Sequence, residues 1–144
     1  MIPFSADIHT RLAAEIAPAL QDHFQAQIHI ATVFNPDTPS ALREEKINEI
    51  KELIENNSLS AKVESIVDRD VLNGILKKSR NFDLVLMGGR TGDFLELLLA
   101  KSLAQEITEQ VRSPVLWVKE YEERESFWSS LFKSYKNVGE EEHA

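Results

Sequence analysis

Residues 84–93 read LVLMGGRTGD, an apolar run that passes through Gly88 and Gly89 into Arg90, Thr91 and Gly92. A strand that ends in glycines ahead of a helix can present bare backbone N–H groups to an anion, because no side chain blocks the approach. The same pattern also builds an ordinary tight turn. Arg90 offers a rigid fork of donors to an anion, or else is a solvated surface arginine. Thr91 is β-branched and resists positive φ, so the turn takes another shape there than a glycine would allow.

Other side chains capable of chemistry are sparse. His9, His23 and His29 have no cysteine and no paired spacing that would bind a metal, and His29 alternates along an expected strand as a satisfied or exposed residue would. Asp68, Arg69 and Asp70 form a loop triplet in which the two carboxylates could hold Mg²⁺ through water. Asp70, however, is well placed to cap the helix that follows, which is the favoured reading. There is no Gly-x-Ser-x-Gly elbow and no Walker lysine motif, so neither nucleophilic nor P-loop chemistry has a basis. No catalytic residue and no metal ligand is assigned, and an enzyme is the less favoured reading.

The elements that must position these residues alternate in type. Met1 to Phe4 reads as the end of a strand, and Ser5 to Asp7 as the cap of a helix through LAAEIAPALQDHF, with Asp7 the N-cap and Pro18 expected to kink or break it. QIHIATVF is a β-branched strand that ends in the turn NPDTPS. Ser40 is expected to cap the next helix, with Leu42, Ile47, Ile50, Leu53 and Ile54 near one face. AKVESIVD is a strand and VLNGILKKSR a short helix. DLVLMGG is a strand apolar enough for burial on both faces. A helix over roughly 94–111 leads to a fifth strand, SPVLWVK, which starts at Ser113 and ends at Lys119.

Strands separated by helices imply parallel pairing. The expected fold is therefore α/β, a three-layer open sandwich around a five-stranded parallel sheet of Rossmann-like type. Ligands of such sheets sit outside the carboxyl ends of the strands where their order reverses, which brings together the loops after strands one, two and four.

Composition sets the outer bounds. The chain has 144 residues, 42% hydrophobic and 28% charged, enough for one domain with a core. Its net charge of −8 argues against a nucleic-acid partner. No apolar run reaches the roughly 20 residues of a membrane span. Met1 leads at once to a proline and a polar turn, unlike a signal peptide. The absence of cysteine fits a reducing, cytoplasmic setting. Part of the charge is the ending GEEEHA, so residues 138–144 are expected to be a disordered acidic tail.

The opening IPFSAD, the strand DLVLMGGR, the helix LLLAKSLAQEI and the closing SPVLWV together resemble the universal stress protein family, within the adenine nucleotide alpha hydrolase-like group. The resemblance spans residues 1–119 and is most specific from the fourth strand to the fifth. It implies a site for ATP or AMP, with Mg²⁺ entering only alongside the nucleotide. Nucleotide-binding members carry G-x-x-G and, nine residues on, G-[S/T]. Aligned here, that pattern falls on Gly88, Thr91, Lys101 and Ser102, so two of its glycines are replaced. Starting instead at Gly89 and Gly92 restores the first pair but not the second.

Lys101 can replace lost amide donors as a point charge for phosphate, or fill the pocket and exclude the nucleotide. Ser102 keeps a hydroxyl for an anion, or simply decorates the helix. Ser5 stands where relatives commonly place an aspartate for the base and ribose. Val33 matches a position against the adenine and reads equally well as core. An enzyme of the wider group would need a glycine-bearing loop after strand one, and IPFSADIH has none.

The ending supplies a further element. In ESFWSSLFKSYK, Phe127, Trp128, Leu131, Phe132 and Tyr135 recur at helical spacing, so residues 120–137 are expected to form an extra amphipathic helix. It can fold back on its own domain, form a dimer contact, or attach to another domain or a membrane surface. With only Met1 and Ile2 ahead of Pro3, the expectation is a domain cut from a longer protein. The resemblance implies the cytoplasmic regulatory domain of an ion or amino-acid transporter, and a homodimer paired through residues 113–119. The alternative is a stand-alone ATP-binding stress protein with weak ATPase activity.

Overall fold

The computed structural model describes residues 1–4, 8–89 and 103–119. Along them run β1 (Ile2–Pro3), α1 (Ile8–Phe24), β2 (Ile28–Phe34), α2 (Ser40–Asn56), β3 (Ala61–Val67), α3 (Val71–Ser79), β4 (Val85–Gly89), α4 (Leu103–Gln110) and β5 (Val115–Lys119). The expected extra helix at 120–137, the tail at 138–144, the early part of the 94–111 helix and the Asp7 cap lie outside the described residues.

Every strand pairing is parallel, in a three-stranded sheet ordered β1-β2-β3 and a two-stranded sheet β4-β5. The single five-stranded sheet of the sequence reading thus appears as three strands and two. Two backbone hydrogen bonds cross between them: Met1 N donates to Leu84 O at 2.8 Å, and Leu86 N donates to Met1 O at 2.9 Å.

Strand alternation creates two apolar layers. Ile2, Ile30, Leu86 and Val118 point to the side covered by α1 and α2, where Ala13, Ala14, Ala17 and Ile50 meet them. Ala31, Val85 and Met87 point the other way, to Ile75 of α3 and Ile107 of α4. Each layer draws on both sheets, and Val85, Leu86 and Met87 are buried whichever way they face, as the uninterrupted apolar run of β4 requires.

Local details depart from expectation in three places. Pro18 does not break α1, which is continuous from Ile8 to Phe24. The helix interior loses a hydrogen bond there, at a cost of about 3 kcal/mol, but the buried Ala13, Ala14 and Ala17 on the same helix hold it to the sheet. Ser40 does not cap α2. Pro39 is the N-cap with φ −57° and ψ 147°, and no side chain caps the end; Arg43 N instead donates to Pro39 O at 3.1 Å. Leu42 is 54% exposed, because the core stripe of α2 is carried by Ile50, Leu53 and Ile54 farther along.

Candidate functional site

The winding of the chain locates the site. From β1 to β3 the connecting helices α1 and α2 lie on one side of the sheet, whereas α3 crosses on the other side to deliver β4 beside Met1. The direction of winding reverses between β1 and β4, and in open α/β sheets ligands bind outside the carboxyl ends of strands at such a reversal, which makes this the candidate site.

Gly88 and Gly89 form the β4 side of that crevice. They are the last two residues of the strand, in register with Val118 and Lys119, as expected of the run DLVLMGG. No described glycine has positive φ. The glycine pair is therefore extended strand and not a left-handed turn, and it carries no side chain. Arg90, Thr91, Gly92, Lys101 and Ser102, the predicted anion contacts, lie outside the described residues, as does Ser5.

The β1 and β2 side is built from rings and cations. Phe4 N donates to Ala31 O at 2.7 Å, and Lys46 Nζ sits 5.0 Å from the centre of the Phe4 ring. Arg43 lies 5.6 Å from the centre of the Phe34 ring. Its Nε donates to Thr38 O at 2.9 Å, and its Nη2 to Pro36 O at 2.8 Å and Asn35 O at 3.2 Å. One guanidinium thus ties three carbonyls of the β2–α2 turn, in which Asp37 N also donates to Asn35 Oδ1. Nothing in the spacing of Arg43 and Phe34 marks this pairing; it becomes visible once α2 is laid over β2.

Val33 is half-buried at the end of β2, on the side covered by α3. A Cβ on Gly74 would lie 3.1 and 3.2 Å from its two γ-methyl groups and 3.2 Å from Asp68 Cβ, so α3 approaches the sheet closely enough here that any side chain would press its neighbours back by a few tenths of an ångström. The acidic triplet is spent on the same junction. Asp68 Oδ1 accepts from Asp70 N at 3.1 Å, and its Oδ2 accepts from Asn73 Nδ2 and Lys77 Nζ, each at 3.1 Å. The backbone donor and then the Lys77 ammonium hold the Asp68 carboxyl below its ordinary value. Asp70 Oδ1 accepts from Asn73 N at 3.1 Å and is the N-cap of α3, the structural role that its position allowed. Among the described residues no group of three acidic or histidine side chains is placed to hold a metal.

A second polar cluster lies toward the amino ends of the strands. His29 Nδ1 and Glu64 Oε1 are 2.7 Å apart, Lys78 Nζ meets Glu64 Oε2 at 2.7 Å, and the Phe82 ring stands edge-on to His29 with centroids 5.0 Å apart. The Lys78 hydrogen bond, followed by that of His29, lowers the Glu64 pKa. His29 is thus satisfied within a structural cluster. Its partners are not legible in the sequence, because they meet only through the register of β2 with β3 and the return of α3.

No protein-family model matches the sequence, and no curated protein matches it either. Solved structures do. A universal stress protein in complex with cAMP superposes with a TM-score of 0.60 at 14% identity, over 81% of this chain and 94% of that one. A hypothetical protein whose biochemical function was assigned from its structure gives 0.63 at 18%, over 84% and 96%. A member of the universal stress protein family from Burkholderia pseudomallei gives 0.59 at 18%, over 81% and 93%. The chain has the fold of these structures.

Proposed function

We propose that this chain is a universal stress protein-like module that binds an adenine nucleotide outside the carboxyl ends of β1 and β4 and uses it to regulate an attached or associated protein. The observation that carries this reading is the side-chain-free end of β4, Gly88 and Gly89, at the reversal of strand winding. The shared fold with a protein seen in complex with cAMP supports it. Arg90 and Lys101 supply the phosphate contacts that the replaced glycines would have made, with Ser102 beside them, and Ser5 and Val33 border the base and ribose. Mg²⁺ enters with a nucleoside triphosphate.

The module works as one five-stranded layer in the order β3-β2-β1-β4-β5, for which the two hydrogen bonds at Met1 are the seam. It pairs with a second copy along the open edge of β5, residues 113–119, because an unpaired strand edge invites such pairing. Binding then biases one dimer arrangement over another. No helix among the described residues is long and apolar enough to cross a membrane. The role proposed is that of a cytoplasmic regulatory domain linked to an ion or amino-acid transporter. The second reading is a stand-alone ATP-binding protein with weak ATPase activity, and Arg90 and Lys101 favour it by offering charge to a triphosphate.

Calorimetric titration with ATP and Mg²⁺, AMP and cAMP tests the proposal, repeated with Lys101→Gly. Micromolar affinity that Lys101→Gly abolishes is the expected result. Absence of heat with all three ligands, or affinity that appears only in Lys101→Gly, overturns it. Release of phosphate from ATP by the purified chain would select the second reading.

A further inference from the structure

On the α1 side of β5 the described structure leaves an apolar strip half covered. Leu116 is in register with Leu86, and register partners of a parallel pair project to the same face. Leu86 is buried beneath α1, yet Leu116 remains 40% exposed. The helix beside it contributes a matching wall. Ala13, Ala14 and Ala17 point α1 at the sheet, while Leu12, Ile16 and Leu20 follow one another at intervals of four residues along one flank.

Gln21 fixes which flank that is. Its Nε2 donates to Ser60 O at 2.7 Å and its Oε1 accepts from Ser60 N at 3.2 Å, so its side of α1 turns toward α2 and β3. The Leu12, Ile16 and Leu20 ridge looks the other way, over β4 and β5, against which α1 packs. Ile16 on that ridge is 38% exposed. Among the described residues α1 and α2 are the helices on this face, α2 lies over β3, and none follows on the β5 side.

We infer that this strip is the docking site of the chain's own segment 126–136, which lies outside the described residues. The chain leaves β5 at Lys119, at one end of the strip, and residues 120–125 are enough to reverse its direction. The stripe Phe127, Trp128, Leu131, Phe132 and Tyr135 would extend about 12 Å as a helix, against about 16 Å for the five residues of β5. Length, starting point and apolar spacing therefore agree. The contact uses the face of β5 and leaves its N–H and C=O edge open, so it does not compete with edge pairing. It is also independent of whether a nucleotide binds.

The chain contains no cysteine, which permits a direct test in the 144-residue chain. The double variant Ile16→Cys with Leu131→Cys is oxidised at low protein concentration, beside a control in which Glu15→Cys, exposed on the other flank of α1, replaces Ile16→Cys. Docking predicts an intramolecular disulfide that forms about tenfold faster than in the control, since the two thiols are held together. Equal rates in the two pairs would overturn the proposal. Links formed only between chains would do so as well, and would assign the strip to a second copy. Hydrogen exchange gives an independent readout: Leu116→Glu should reduce amide protection over 127–135 about tenfold while α2 is unchanged, and undiminished protection would refute docking.

Discussion

The carboxyl ends of β2 and β3 differ from that of β4 in what occupies them. At β2 and β3, Val33 packs against the Gly74 backbone of α3, and Asp68 accepts three hydrogen bonds that join strand end to helix start. At β4 the strand ends in two residues with no side chain beyond Cα. One end is filled by the protein's own packing, and the other carries no side chain on its last two residues. In an open α/β sheet both lie on the ligand-binding edge, so packing decides which part of that edge is available. On the proposed reading, recognition centres on the β4 end, while the β2 and β3 end is first a packed junction whose Val33 also borders the base.

That division can be broken most strongly at Gly74. A Cβ there would already be tight against Val33 and Asp68, so the extra methylenes of Gly74→Leu should overpack the junction by about 2 kcal/mol. The urea midpoint should fall accordingly. Val33→Ala in the same chain should recover part of the loss, since the methyl groups that obstruct the new side chain are gone. Strict additivity of the two substitutions would show that they do not share this contact.

Next in size is the Glu64 cluster, which carries the same division to the opposite end of the sheet. Glu64→Gln should cost about 1.5 kcal/mol at neutral pH, because it weakens two charge-assisted hydrogen bonds of 2.7 Å. The pH dependence gives the sign. Folding lowers the Glu64 pKa from its ordinary 4.5, so its contribution is fully present above that value and is lost as pH falls through the lower folded value. Urea midpoints measured across the acid range should therefore fall less steeply in Glu64→Gln than in the parent. Parallel acid limbs would contradict the assignment.

Periodicity made the order and type of every described element legible, since each stretch of the chain signals its own strand or helix. The Asp70 cap was equally local: a carboxylate three residues before the Asn73 amide is visible in a short window. The strand through the glycine pair was legible too, from the apolar run DLVLMGG, although its partners Val118 and Lys119 on β5 were not. Ser40, by contrast, misled. A capping hydroxyl is the local preference, but the Arg43 side chain, reaching back over the turn, lets Pro39 take the position. What could not be read was long-range: Glu64 meets His29 across 35 residues, and Gly74 meets Val33 only when α3 returns to the sheet.

A smaller loss is expected at the start of α3. Asp70→Ala removes the acceptor for Asn73 N and should cost about 1 kcal/mol, read from thermal melting. Asp70→Asn should restore most of that stability, because its side-chain oxygen can accept the same hydrogen bond. Failure of the asparagine to rescue would mean that Asp70 acts through charge.

The smallest effect on stability should come from Gly89→Val, and it separates the two strand ends most cleanly. Gly89 pairs with Lys119 of β5 and no described glycine uses positive φ, so an L-side chain meets no backbone strain there, and a β-branched residue suits a strand. Folding stability should change by less than about 0.5 kcal/mol if recognition, and not packing, is what keeps this position free of a side chain. Nucleotide affinity should nevertheless fall by more than about tenfold, since two methyl groups would stand where the ligand must approach the backbone. Measured together, a melting temperature that holds while calorimetric binding disappears would assign the β4 end to recognition alone. A melting temperature that drops as far as that of Gly74→Leu would mean that β4 is packed as tightly as β2, and the distinction between the two ends would be gone.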